Sequence, residues 1–109
     1  MPELSEKDYQ IFTDIKDYLN ITWEDEITNK NLAGMMKRGM RRLQNVAGVS
    51  FIDFTEEGLA RELLFDYCRY ANSHALEMFE INFVGELQSL HFEYQAKAID
   101  KTEGVTTCL

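Results

Sequence analysis

The stretch from Leu59 to Tyr94, LARELLFDYCRYANSHALEMFEINFVGELQSLHFEY, contains no proline and a single glycine, Gly85. Its apolar residues recur in steps of three and four. Leu59, Leu63, Tyr67 and Tyr70 make one row, and Ala60, Leu64, Cys68 and Ala71 a second. After Asn72-Ser73 the pattern resumes at Leu76, Phe79, Phe83, Leu87, Leu90 and Tyr94. At 3.6 residues per turn such steps stack on one side of a helix, whereas a strand alternates every second residue. The stretch is therefore committed to helix, and the rest of the chain must cover its apolar rows.

A chain of 109 residues fits one domain with a modest core. An apolar fraction of 45% is enough to offset the entropy of ordering. The formal charge of −8 argues against general attraction to nucleic acid or anionic membranes, because proteins that neutralise phosphates carry the opposite sign. No apolar run is long enough to span a bilayer, and MPELSEKDYQ lacks the basic start and apolar middle of a signal peptide. A reducing cytoplasm is the expected setting. Cys68, on an apolar row, and Cys108, next to last, are expected to stay unpaired there. With His74 and His91 they show no paired spacing for a metal, and no cofactor is expected.

Taken in order, helix one opens at Ser5, where Ser5-Glu6-Lys7-Asp8 resembles a capping box. Tyr9, Phe12, Ile15 and Leu19 form its stripe, Asp14, Lys16 and Asp17 are assigned to water, and Asn20 is a stop. Glu24, Asp25 and Glu26 are read as a solvated run ahead of the cap candidate Thr28; a calcium loop would need alternating oxygen donors that are absent. Trp23 is a candidate for sealing the end of the core. Helix two is expected over about Asn29–Asn45, ended by Ala47-Gly48. Its Gly34 and Gly39 each cost about 1 kcal/mol relative to alanine, and glycines on a helix can admit a close neighbour. Val49–Phe54 is a connector, extended or a single turn, that as a strand would have only another subunit to pair with. Asp53 or Thr55 then caps helix three, with Arg61 reaching Glu57 and Arg69 reaching Asp66. A kink or break at Asn72-Ser73, where Ser73 can cap a new start, leads into helix four, about Ser73–Ala98.

Charge is segregated. Lys30, Lys37, Arg38, Arg41 and Arg42 stand without an acid between Ile27 and Ile52, and no cation lies between Arg69 and Lys97, where Glu77, Glu80, Glu86 and Glu93 form an acidic flank. The basic residues have three readings: favourable placement near a helix C-terminus, a face that meets an acidic face of a sister subunit or another protein, and, ranked last, contact with DNA. In a ring of identical subunits the flanks could meet head to tail, which makes Lys37, Arg38, Arg41, Arg42, Glu77, Glu80 and Glu86 the candidate subunit interface. Helix four also carries apolar residues off its main row, at Met78, Ile81, Val84 and Phe92, and a helix apolar on more than one side wants more than one neighbour. The pattern fades after Ala96. The expected architecture is all-α: a small bundle of about four helices over residues 1–96 and a flexible C-terminal tail over 97–109.

No catalytic constellation is visible. The serines lie in no nucleophile motif, the glycines form no phosphate loop, and His91 reads as a packed histidine. A helix-turn-helix would have to present helix three, which begins with acids that repel phosphate.

The segments YLNITW (Tyr18–Trp23), LLFDYCRYANS (Leu63–Ser73) and ALEMFEINF (Ala75–Phe83) resemble the small head-tail connector, or head-completion, proteins of long-tailed bacteriophages of Gram-positive hosts, over about Asp14–Asp100. That resemblance implies a non-enzymatic virion protein. It would form a ring, usually twelve-fold, beneath the portal, extend the DNA channel without reading sequence, and offer a platform to the next connector or the tail. It implies portal contact through the C-terminal segment, with Lys97, Ile99, Lys101, Val105 and Leu109 as candidates. Location would pass from host cytoplasm to virion neck, and the subunit could be a monomer until the portal templates the ring. The alternative is a stand-alone acidic helical regulator of a host protein.

Overall fold

The computed structural model describes residues 4–106, with side chains described through Ala98. It is all-helical, with five helices and no strand among the described residues: α1 (Glu6–Tyr18), α2 (Glu26–Ala47), α3 (Leu59–Asn72), α4 (Leu76–Asn82) and α5 (Val84–Thr106). The extra helix arises because the expected fourth helix is broken at Phe83. Phe83 closes α4 through its amide to Phe79 O, and its own carbonyl accepts from Leu87, so two axes meet there with little loss of hydrogen bonding. α5 runs on in helical backbone through residues 97–106, beyond the point where its apolar pattern fades.

The caps follow local chemistry. Ser5 Oγ accepts from the Asp8 amide at 3.1 Å and starts α1. α1 stops where Asn20 takes a positive φ of 60°. α2 begins earlier than the sequence pattern indicates, because Asp25 and not Thr28 is its cap. The Asp25 carboxylate accepts from the Thr28 amide at 2.9 Å and the Thr28 hydroxyl at 2.7 Å, interactions that hold its pKa below the usual value. Gly48, at φ 76°, ends α2 in the left-handed conformation glycine adopts at little cost. Residues 49–58 form no strand. Asp53 accepts there from both the amide and the hydroxyl of Thr55, so it caps a turn, and α3 starts later, after Gly58 at φ 151°, with no side-chain cap.

α2 is the central element, packed most extensively on α3 and α5 and also touching α1. Ile11, Phe12, Ile15, Met36, Leu43, Leu63, Leu64, Phe79 and Leu90 are buried in one core. Gly39 decides how closely α2 and α3 approach: a Cβ there would lie 2.7 Å from Tyr67 Cδ1 and 2.8 Å from Leu64 Cδ1. Tyr67 then meets the ring of Phe79 edge-on at 5.4 Å, Phe79 stacks on Phe83 at 5.1 Å, and Tyr70 packs edge-on against both. Tyr67 and Phe79 are thus core, with Tyr70 and Phe83 half-buried against them, and Cys68 is a buried free thiol whose pKa burial pushes up to about 12. Cys108 lies outside the described residues.

Several side chains depart from the sequence reading: Tyr9, placed in the stripe of helix one, is exposed, and His91, read as packed, lies exposed on α5. Lys16, assigned to water, is buried: it follows Phe12 by four residues and so falls on the same side of α1. Arg61 does not pair with Glu57, which precedes α3. Its guanidinium instead reaches Asp14 of α1 at 2.9 Å and Phe54 O at 3.1 Å and lies 4.6 Å over the Phe65 ring, tying three segments together. Trp23 is 55% exposed and seals nothing in this chain. Arg69 does meet Asp66, at 3.3 Å.

Two predictions follow from these contacts. Gly39→Ala should lower the unfolding free energy measured in urea by up to about 2 kcal/mol, because overpacking of about 1–3 kcal/mol offsets or exceeds the roughly 1 kcal/mol of regained helix propensity; a variant more stable by that roughly 1 kcal/mol would contradict the close approach. The second concerns Asp53, whose carboxyl is held down to about 2 from 3.8 by the Thr55 hydroxyl and, next, by Lys7. A depressed folded-state pKa means that the associated stability is complete above about pH 4 and is lost as pH falls toward about 2. Asp53→Asn should flatten that acid limb of urea midpoint against pH, and an identical limb in the variant would show that Asp53 does not generate it.

Candidate functional site

The α4–α5 unit is held onto α2 by polar contacts at its edge. Arg42 of α2 donates twice to Glu80 of α4, from Nη2 to Oε1 at 2.7 Å and from Nε to Oε2 at 3.1 Å. This fork geometry raises the pKa of Arg42 and lowers that of Glu80. Further along, His91 Nδ1 lies 2.9 Å from Val46 O and Gln95 Nε2 donates to Ala47 O at 3.1 Å. A carbonyl can only accept, so the Nδ1 of His91 carries the proton. The last carbonyls of α2, which have no partner within their own helix, are thus satisfied by α5.

With that edge fixed, apolar side chains remain outside. Met78, Ile81, Val84 and Phe92 are 43%, 65%, 55% and 67% exposed. A shallow groove of about 340 Å³ opens between α2 and α5, lined by Val46, Val84, Leu87, His91 and Phe92 beside the Arg42–Glu80 pair. Its walls supply apolar contact and one neutralised ion pair. Among the described residues no group of three or more His, Cys, Asp and Glu is placed to hold a metal ion. No helix among them is long and apolar enough to cross a membrane.

The candidate interface residues divide. Arg42 and Glu80, on opposite flanks, meet within one chain. Lys37, Arg38 and Arg41 lie exposed on α2 with no ion pair among the described residues, Glu77 is exposed on α4, and Glu86 is exposed on α5. Lys97 is exposed, 3.5 Å from Glu93 and 4.4 Å over the ring of Tyr94. Ile99, Lys101 and Val105 fall on the helical backbone of α5, their side chains outside the described set, and Leu109 lies outside the described residues.

A second polar cluster was not singled out by sequence. Lys16 Nζ donates to Glu24 Oε1 at 2.8 Å and Asn29 Nδ2 donates to Glu24 Oε2 at 3.0 Å, so one exposed carboxylate spans a buried lysine and a buried asparagine. The Lys16 hydrogen bond is the main cause of the lowered pKa of Glu24. Two of the three acids after α1 are thereby accounted for: Glu24 closes over Lys16, and Asp25 caps α2. The signal was available in the four-residue step from Phe12 to Lys16.

In comparisons with known proteins, no family model, no curated sequence and no solved structure matches the chain.

Proposed function

We propose that this chain is a structural assembly subunit, a head-tail connector of a bacteriophage neck, that joins copies of itself and the portal and does no chemistry. The observation that carries the reading is the exposed apolar face of α4–α5. Ile81, Val84 and Phe92 sit outside a core that is already closed by Phe79, Leu87 and Leu90, so they contribute nothing to covering the chain's own interior. Leaving such side chains in water forgoes roughly 1.5–3 kcal/mol each, and burial against a partner would recover it. The resemblance of Tyr18–Trp23, Leu63–Ser73 and Ala75–Phe83 to connector proteins supplies the kind of partner. The acidic surface suits a channel through which DNA slides, since like charge prevents adhesion.

The test is a substitution on this face that spares the core. Phe92→Asp should leave thermal unfolding of the isolated chain within about 0.5 kcal/mol, because the ring is largely solvated. It should at the same time abolish incorporation into portal-bearing capsids, measured by co-sedimentation. Wild-type levels of incorporation by the folded variant would remove the face from assembly.

A further inference from the structure

The cations whose side chains are described fall into two sets. Lys7, Lys16, Arg42, Arg61, Arg69 and Lys97 each have an acid of the same chain within 3.5 Å. Lys30, Lys37, Arg38 and Arg41 have none among the described residues, and all four are on α2. Lys30, Lys37 and Arg41, at steps of seven and four, form one exposed stripe opposite the side that buries Leu32, Met36 and Leu43. An acidic chain that pairs its other described cations but leaves this row open offers a basic strip with a matching acidic strip elsewhere on its surface.

The match is on α5. Glu86 and Glu93 are exposed and seven residues apart, the same spacing as Lys30 and Lys37, so both pairs span roughly 10 Å along their helices; Glu86 has no ion pair among the described residues, and Glu93 meets Lys97 only at 3.5 Å on a solvated helix face, a contact it can exchange. Direction is fixed by what lies beyond them. With the helices parallel, Lys97 would fall opposite Arg41, a like-charge clash. With the helices antiparallel, Lys30 meets Glu93, Lys37 meets Glu86, and Lys97 passes beyond the basic stripe. In the same register Gly34 faces Ser89 and Arg38 faces Gly85. A Cβ on Gly85 would meet nothing in its own chain, and one on Gly34 only the tip of Arg38, so neither glycine is explained by packing within the subunit as Gly39 is. Small residues at the crossing let two helices approach closely while the flanking charges pair.

Building on the assembly reading above, we propose that in neighbouring copies α2 of one lies antiparallel across α5 of the next, pairing Lys30 with Glu93 and Lys37 with Glu86. The contact is heterologous: each copy offers a basic helix to one neighbour and an acidic helix to the other, as a ring requires. Arg42 and Glu80 stay within the subunit and hold α4–α5 in place for it.

The test exchanges charge between the two strips. Lys30→Glu/Lys37→Glu and Glu86→Lys/Glu93→Lys should each abolish self-association alone, and an equimolar mixture should restore it, because the alternating contacts regain opposite charge. Analytical ultracentrifugation reads the outcome, and circular dichroism confirms folding. Weak contacts are captured by oxidising a Gly34→Cys/Ser89→Cys variant that also carries Cys108→Ser, which should give a ladder of disulfide-linked oligomers. Assembly of the wild type that is unaffected by either double variant, or not restored by mixing, overturns this register and leaves the assembly reading standing. Wild-type chain that stays monomeric, with no ladder at any concentration or on portal, overturns both. Loss of DNA retention in a gel-shift assay on reversing Lys30 and Lys37, with assembly intact, would reassign the strip to nucleic acid and overturn the proposal.

Discussion

The absence of a side chain at Gly39 is the constraint on which the subunit depends. It lets Tyr67 and Leu64 of α3 settle against the α2 backbone, and Tyr67 in turn carries Phe79, whose ring anchors α4. From there the chain turns at Phe83 and α5 returns along α2, where His91 and Gln95 take up the open carbonyls of its last turn. One close approach thus propagates through an aromatic stack into the placement of the two C-terminal helices. The interior conveys that placement rigidly because packed side chains have little room to adjust.

Closing the core in this way leaves the C-terminal half with two kinds of surface. Phe79, Leu87 and Leu90 face inward, while Ile81, Val84 and Phe92 face water. The break at Phe83 gives the two pieces separate axes: α4 packs its one buried residue, Phe79, into the aromatic cluster and leaves Ile81 outside, and α5 runs along α2 with Leu87 and Leu90 inward and Val84 and Phe92 outward. The Arg42–Glu80 pair then fixes the unit at its rim with a bond that remains partly solvated, worth on the order of 1 kcal/mol or less in stability but specific in geometry. The proposed function follows from what is left uncovered.

Much of the fold was legible because its signals are local. Period-3.6 rows identify α3 and the face of α2, Ser5 and Gly48 carry recognisable cap chemistry, and the off-row residues at Ile81, Val84 and Phe92 mark surplus apolar surface in the sequence itself. What was not legible depends on choices between near-equal local options. Asp25 and Thr28 are both good caps, and only the start of α2 decides that Asp25 caps while Thr28 donates to it. Arg61 had Glu57 nearby in sequence, but Asp14, far along the chain, became its partner once α1 lay beside α3. The break at Phe83 has no proline or glycine at the break itself, so periodicity ran through it unbroken. For the candidate interface, sequence found both charged flanks but not that Arg42 and Glu80 would neutralise each other within the chain. Tertiary proximity alone separates the spent charges from the open ones.

The central claim is that the outward face of α4–α5 exists to be covered in an assembly. Electron microscopy of the purified chain mixed with portal tests it most directly. An added ring of density beneath the portal is expected, with the helices around Ile81, Val84 and Phe92 buried between neighbouring subunits or against the portal. A ring in which those three residues face solvent, or no added density at saturating chain, would contradict it.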